Sequence, residues 1–163
     1  MCTGLLKPSS GSVKNVYDIV KNPLEAKKNF GYVPDSPYLY NNLSGREFLD
    51  LVANIYMGKQ SDESSTRIEE LLKKMQLTKD TDKLIGTYSH GMRRKIALCA
   101  AFLHNPSVVF LDEPTIGLDA SSAKAAKDLF RKHADEGAAI LFTTHVLEVA
   151  ERLCDRIGII YEG

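Results

Sequence analysis

Asp112 and Glu113 stand side by side after the apolar run Val108-Val109-Phe110-Leu111, with Pro114 immediately behind them. Two adjoining carboxylates at the end of a buried strand can divide labour. One stays ionised and holds a hard cation through oxygen; the other, raised in proton affinity by its neighbour's charge and by partial burial, can take a proton from water. An acidic pair of this kind also suits a solvated loop or a helix cap. His145 follows Thr143-Thr144 and can donate toward an anion, although a lone histidine reads equally as a structural or exposed residue. Upstream, Tyr88-Ser89-His90-Gly91-Met92 opens a helical stretch. A helix N-terminus offers unpaired amides and partial positive charge to a phosphate, but Ser89 also reads simply as a cap. The segment Gly117-Leu118-Asp119 follows the acidic pair, and Gly31-Tyr32-Val33-Pro34-Asp35 precedes it by some distance. The phosphate-cradling pattern G-x-x-x-x-G-K-[ST] does not occur in the 163 residues: Gly4 and Gly11 have the wrong spacing, and Lys7 is followed by proline.

The elements that must position these groups are legible from periodicity. Lys7-Pro8-Ser9-Ser10-Gly11 is a turn cluster, so the chain starts near the end of an element. Two β-like pieces follow, Ser12 to Val20 and Phe30 to Val33, separated by Lys21-Asn22-Pro23. Ser44-Gly45-Arg46-Glu47 predicts a helix start, with Phe48, Leu51, Val52 and Ile55 on one face. Ile68, Leu71, Leu72 and Met75 repeat at helical spacing, with Glu69, Glu70, Lys73 and Lys74 on the wet side. A third helix runs from about Met92 to Leu103 and stops at Asn105-Pro106. Arg93, Arg94 and Lys95 form a charge run, the pattern of a solvated helix face. Strand Val108 to Leu111, helix Ala123 to Ala134, strand Ala138 to Phe142, helix Val146 to Cys154 and strand Ile157 to Tyr161 then alternate. Strands apolar without alternation predict a parallel sheet buried on both faces. The fold class is therefore α/β, with residues 1–35 and 106–163 as its core and residues 36–105 as a helical insertion.

These motifs together resemble the ATPase subunits of ATP-binding cassette (ABC) transporters. Tyr88 to Met92 is similar to that family's signature loop, usually Leu-Ser-Gly-Gly-Gln, keeping the serine and the second glycine; Val108 to Glu113 resembles the Walker B strand and Gly117-Leu118-Asp119 the D-loop. The resemblance implies a P-loop NTPase-like core in which Asp112 holds Mg²⁺, usually through water, Glu113 is the catalytic base, and His145 is the switch histidine sensing the γ-phosphate of ATP. It implies that Ser89 and Gly91 contact the γ-phosphate of a nucleotide held by an opposite subunit, in a homo- or heterodimer of ATPase subunits, and that Asp119 and Asp35 also belong to the nucleotide-binding residues. Asp35 stands where the family's Q-loop has glutamine, and Lys95 where a basic residue is frequent. Tyr38, Leu39 and Tyr40 either face a membrane subunit or pack into the insertion. Thr3 to Pro8 resembles the helix tail that follows the P-loop, so the resemblance implies a subunit truncated through its Walker A segment, without the N-terminal strands. Such a chain would be peripheral to the membrane on the cytoplasmic side, bound through a transmembrane permease, and inactive or very weak by itself. The alternatives are a non-catalytic partner that lends its signature loop to a complete subunit, and a soluble ABC ATPase.

Composition narrows the field. One domain of 163 residues buries about 70% of its unfolded surface, enough for a real core. With 21 basic against 21 acidic residues there is no electrostatic footprint for nucleic acid. Cys2, Cys99 and Cys154 lack metal or disulfide spacing and read as small buried apolar residues in a reduced compartment. His104 and His133 read as surface or packing residues. No run approaches the ~20 apolar residues of a membrane span.

Overall fold

Three apolar runs pair into one parallel sheet. The computed structural model, which describes residues 2–14, 17–58 and 62–161, places β1 at Phe30–Val33, β2 at Val108–Asp112 and β3 at Ala139–Thr143, in the order β1-β2-β3. Val33 pairs with Leu111, and Asp112 with Thr143, so the carboxyl ends of all three strands share one edge. Parallel neighbours need long crossovers. The first carries α2 (Gly45–Met57), α3 (Asp62–Lys74) and α4 (His90–Leu103); the second carries α5 (Ala120–Asp135). A short α1 (Pro23–Lys28) precedes β1, and α6 (Leu147–Leu153) follows β3.

The helices form for local reasons. Ser44 caps α2 in a reciprocal box, its hydroxyl accepting from the Glu47 amide at 3.2 Å while the Glu47 carboxylate accepts from the Ser44 amide at 2.7 Å. Ile68, Leu71, Leu72 and Met75 are all buried, as their spacing predicts. The α2 stripe is rotated from the expected one: Phe48, Leu49 and Ala53 are buried, whereas Leu51 and Ile55 are exposed. The face centred on Leu49 and Ala53 is the one that meets α3 and α4, and small Ala53 lets them approach. Helix α4 ends where Asn105 turns left-handed (φ 52°) ahead of Pro106. Arg67 of α3 closes that end, donating to the carbonyls of Leu103 and Phe102 and to the Asn105 side chain.

One continuous core joins these helices to one face of the sheet, including Leu72, Ile96, Leu98 and Phe102 with Val33, Val109 and Leu111. Each such side chain contributes about 1.5–3 kcal/mol by burial. The opposite sheet face departs from the expected two-sided burial: Tyr32 and Leu141 are exposed, and β3 alternates exposed and half-buried residues throughout. Among the described residues only Ile19, Ala26 and their neighbours cover this face, around Phe30.

Two expected strands are absent among the described residues. In the span 12–20, of which residues 15 and 16 lie outside the described residues, Asp18 accepts from the amides of Val20 and Lys21, both at 3.0 Å. The side chain thus folds a local turn in competition with a ladder, leaving one bridge between Lys14 and Asp18. Residues 157–160 have no regular secondary structure, are exposed and pair with no described strand. Residues 3–6 form turns and bends instead of a helix tail. Of the cysteines only Cys99 is buried, and burial pushes its thiol up to about 12; Cys2 is exposed. Both unassigned histidines prove to be packing residues. His133 is buried, with Nε2 2.7 Å from the Pro106 carbonyl oxygen. His104 stacks on Tyr56 at 4.0 Å, and burial pushes its imidazole down to about 4. Tyr38 is fully exposed, while Leu39 is partly buried and Tyr40 leans on Phe48 at 6.3 Å, so that cluster divides between surface and core.

Candidate functional site

The end of β2 presents Asp112 and then Glu113, and the neighbouring end of β3 presents Thr143, two residues before His145. The Thr143 hydroxyl donates to Asp112 Oδ1 at 2.5 Å. Glu113 Oε1 accepts from the His145 amide at 3.1 Å and lies 2.8 Å from His145 Nδ1. The acidic pair and the imidazole are therefore one cluster, drawn together by parallel pairing of strands whose partnered residues, such as Asp112 and Thr143, are 31 apart in sequence. Glu113 takes φ 46°, the left-handed region that a non-glycine residue enters at a cost of order 1 kcal/mol or more. Its amide donates to the Thr143 carbonyl at 3.2 Å. Tyr32, on the uncovered sheet face, has its phenol pushed up by burial and then by the Asp112 charge.

Arg94 overturns the solvated-face reading of the charge run. It is 1% exposed; Nη1 donates to the Pro34 and Asp112 carbonyls, both at 3.2 Å, and Nη2 reaches Asp35 Oδ1 at 3.3 Å. Asp35 joins the strand-end cluster through this guanidinium. Arg93 donates to the Asn41 side chain and the Ile85 carbonyl, and Lys95 lies 3.3 Å from Asp119 Oδ2, so all three cations face protein groups. A signal for Arg94 was present: Arg94, Ala97, Leu98 and Ala101 occupy one helical face, and the other three are buried and apolar. Thr143 carried no comparable signal, because its role depends on register.

The start of α4 forms a second corner. The Ser89 hydroxyl accepts from the Met92 amide at 3.3 Å as an N-cap. A Cβ at Gly91 would lie 2.8 Å from the Gly117 carbonyl oxygen, so backbone meets backbone there, and one at Gly117 (φ 76°) would lie 2.6 Å from the His90 ring, which packs over that glycine. Asp119 caps α5, accepting from the Ser122 amide at 2.9 Å and its hydroxyl at 2.6 Å; that hydroxyl above all, with the amide and Lys95, holds its carboxyl well below the usual range. Tyr88, where the resembling motif has leucine, is buried and donates to the Asp80 carbonyl at 2.8 Å.

The donor set suits Mg²⁺ bound together with phosphates. Hard oxygens are offered by Asp112 beside Thr143, and among the described residues no three His, Cys, Asp or Glu side chains converge as a ready-made metal cage. Magnesium commonly takes one or two carboxylates and fills its remaining positions with water and phosphate oxygens. Among the described residues no helix is long and apolar enough to cross a membrane.

Comparison with known proteins adds independent findings. The ABC transporter family model matches residues 1–116. The chain is 33% identical over 165 residues to the ABC transporter ATP-binding protein NatA of Bacillus subtilis (strain 168), covering 100% of this chain and 67% of that protein. It is 40% identical over 166 residues to ABC transporter A family member 12 of Arabidopsis thaliana, covering 100% of this chain and 18% of that protein. A solved structure of the ATP binding subunit of an ABC transporter superposes with a TM-score of 0.89 at 34% identity, over 94% of this chain and 64% of that one. The chain thus spans from less than a fifth to two thirds of the length of these relatives.

Proposed function

The chain belongs to the ABC transporter family, and from that premise we propose that its residues serve ATP hydrolysis that energises a membrane transporter. The observation that carries the reading is the strand-end cluster, with Glu113 held against His145 and Asp112 against Thr143. Glu113 acts as the base that orients or deprotonates the attacking water, and His145 holds Glu113 and donates toward the γ-phosphate. Asp112 holds Mg²⁺, which when bound neutralises charge developing on the transferred phosphoryl group. Asp35 approaches the same edge. Ser89, Gly91 and Asp119 sit at the corner that would meet a nucleotide held by a second ATPase subunit, with a permease as the membrane partner and a cytoplasmic setting. In this scheme residues 1–35 and 106–163 form the sheet-bearing core, and residues 36–105 the helical subdomain.

Residues 1–163 contain no G-x-x-x-x-G-K-[ST] loop, so we infer that they hold ATP poorly by themselves. Calorimetric titration of this chain with Mg-ATP is expected to give no saturable site, and micromolar binding would overturn that inference. The catalytic reading is tested by joining a G-x-x-x-x-G-K-[ST] segment from a similar subunit ahead of residue 1. The chimera is expected to hydrolyse ATP, and Glu113→Gln to cut turnover by about 10²-fold or more while nucleotide binding persists. A chimera whose turnover ignores Glu113→Gln would sink the assignment of the base.

A further inference from the structure

We propose that Arg94 is the positioning residue of the strand-end site: a single buried guanidinium fixes the ends of β1 and β2 against α4 and thereby sets where Asp112 and Glu113 present their carboxylates. The inference deepens the functional reading above and rests on it for what those carboxylates do, but the positioning itself is testable without nucleotide.

The peptide unit between Asp112 and Glu113 is gripped from both sides. Its carbonyl accepts from Arg94 Nη1 at 3.2 Å, and its amide donates to the Thr143 carbonyl at 3.2 Å. Those two bonds fix the plane of the peptide, and the very next torsion is the left-handed φ of 46° at Glu113. From that backbone the Glu113 side chain reaches His145 Nδ1 at 2.8 Å. The same nitrogen of Arg94 also holds the Pro34 carbonyl, and Nη2 holds Asp35, so the end of β1 is fixed by the same planar fork.

Adhesion alone does not account for a cation here. Among the described residues Arg94, itself 1% exposed, has one carboxylate partner, Asp35, which is 60% exposed, and its Nε has no hydrogen-bond partner. Burying an incompletely paired charge is costly, and an apolar side chain of similar volume on the face shared with Ala97, Leu98 and Ala101 would hold the helix as well or better. What an apolar side chain lacks is the ability to orient two carbonyls from different strands at once. Asp35 is the most exposed leg of this clamp, so its loss should loosen the fork while the two carbonyl bonds remain.

The test compares NMR signals of Arg94→Lys, Asp35→Asn and a control, Leu72→Ala, which cuts a fully buried side chain in the helical layer. Lysine keeps the charge but loses the fork. Arg94→Lys is expected to displace the Glu113 amide and the His145 ring signals beyond their displacement in the control, and to speed Glu113 amide exchange ~10-fold more than that of Val109 in the same strand. Asp35→Asn is expected to leave the Glu113 amide near its original position. Arg94→Lys spectra in which Glu113 and His145 move no further than in the control would overturn the proposal. Should Arg94→Lys not fold, Arg94→Gln gives the same comparison. In the unaltered protein, slowly exchanging Arg94 guanidinium protons in contact with Pro34 and Asp112 are required in any case, and their absence would equally reject the clamp.

Discussion

At the strand ends, Asp112, Glu113, Thr143 and His145 are tied to one another through side-chain hydrogen bonds beside a buried guanidinium, whereas at the start of α4 the backbones of Gly91 and Gly117 meet without a side chain between them. Under the proposed function the first corner serves this chain's own nucleotide and the second meets one held by another subunit, and the two depend on different physics. The first is a set of polar contacts that face solvent at Thr143 and His145 but are anchored on the buried Arg94, whose loss would strand two carbonyls. The second is a close approach, where added volume is what hurts.

That contrast can be broken in order of expected effect. Arg94→Ala should destabilise most, by about 3–5 kcal/mol, because it leaves a cavity where a fully buried side chain stood and strands the Pro34 and Asp112 carbonyls without their donor; urea unfolding measures it, and a loss below that of the next variant would reverse the comparison. Gly91→Ala should cost about 1–3 kcal/mol, since its Cβ would sit 2.8 Å from the Gly117 carbonyl oxygen. The same unfolding experiment with unchanged stability would mean that the 114–119 loop yields freely. Ser89→Ala should cost about 1 kcal/mol for a lost N-cap. Ser89→Asp keeps the cap and should unfold like the unaltered chain, which separates the serine's structural task from any task toward phosphate.

The parts of this architecture readable in advance were those encoded locally. The α2 start was legible because a serine and a glutamate three residues apart cap it reciprocally. The α3 stripe was legible because helical spacing and burial coincide at Ile68, Leu71, Leu72 and Met75. Asp112, Glu113 and His145 were found as separate motifs, but their contact depends on the register that sets Asp112 beside Thr143, which no local pattern specifies. Arg94 was misread because charge runs usually face water, and its acceptors lie 18 and 60 residues away. The segment 157–160 has strand-like residues, but strand propensity needs a neighbour to pair with, and no described strand provides one.

The left-handed backbone at Glu113 carries one more consequence, for how this chain can vary. Asparagine, aspartate and glycine enter that conformation readily, while valine, isoleucine and threonine resist it. With Glu113 as the base proposed above, saturation mutagenesis at this position would register two filters laid over each other, a chemical one that rejects any side chain unable to accept a proton and a conformational one that rejects branching at Cβ. A residue could fail there for the shape of its main chain alone, without ever having been asked to do chemistry.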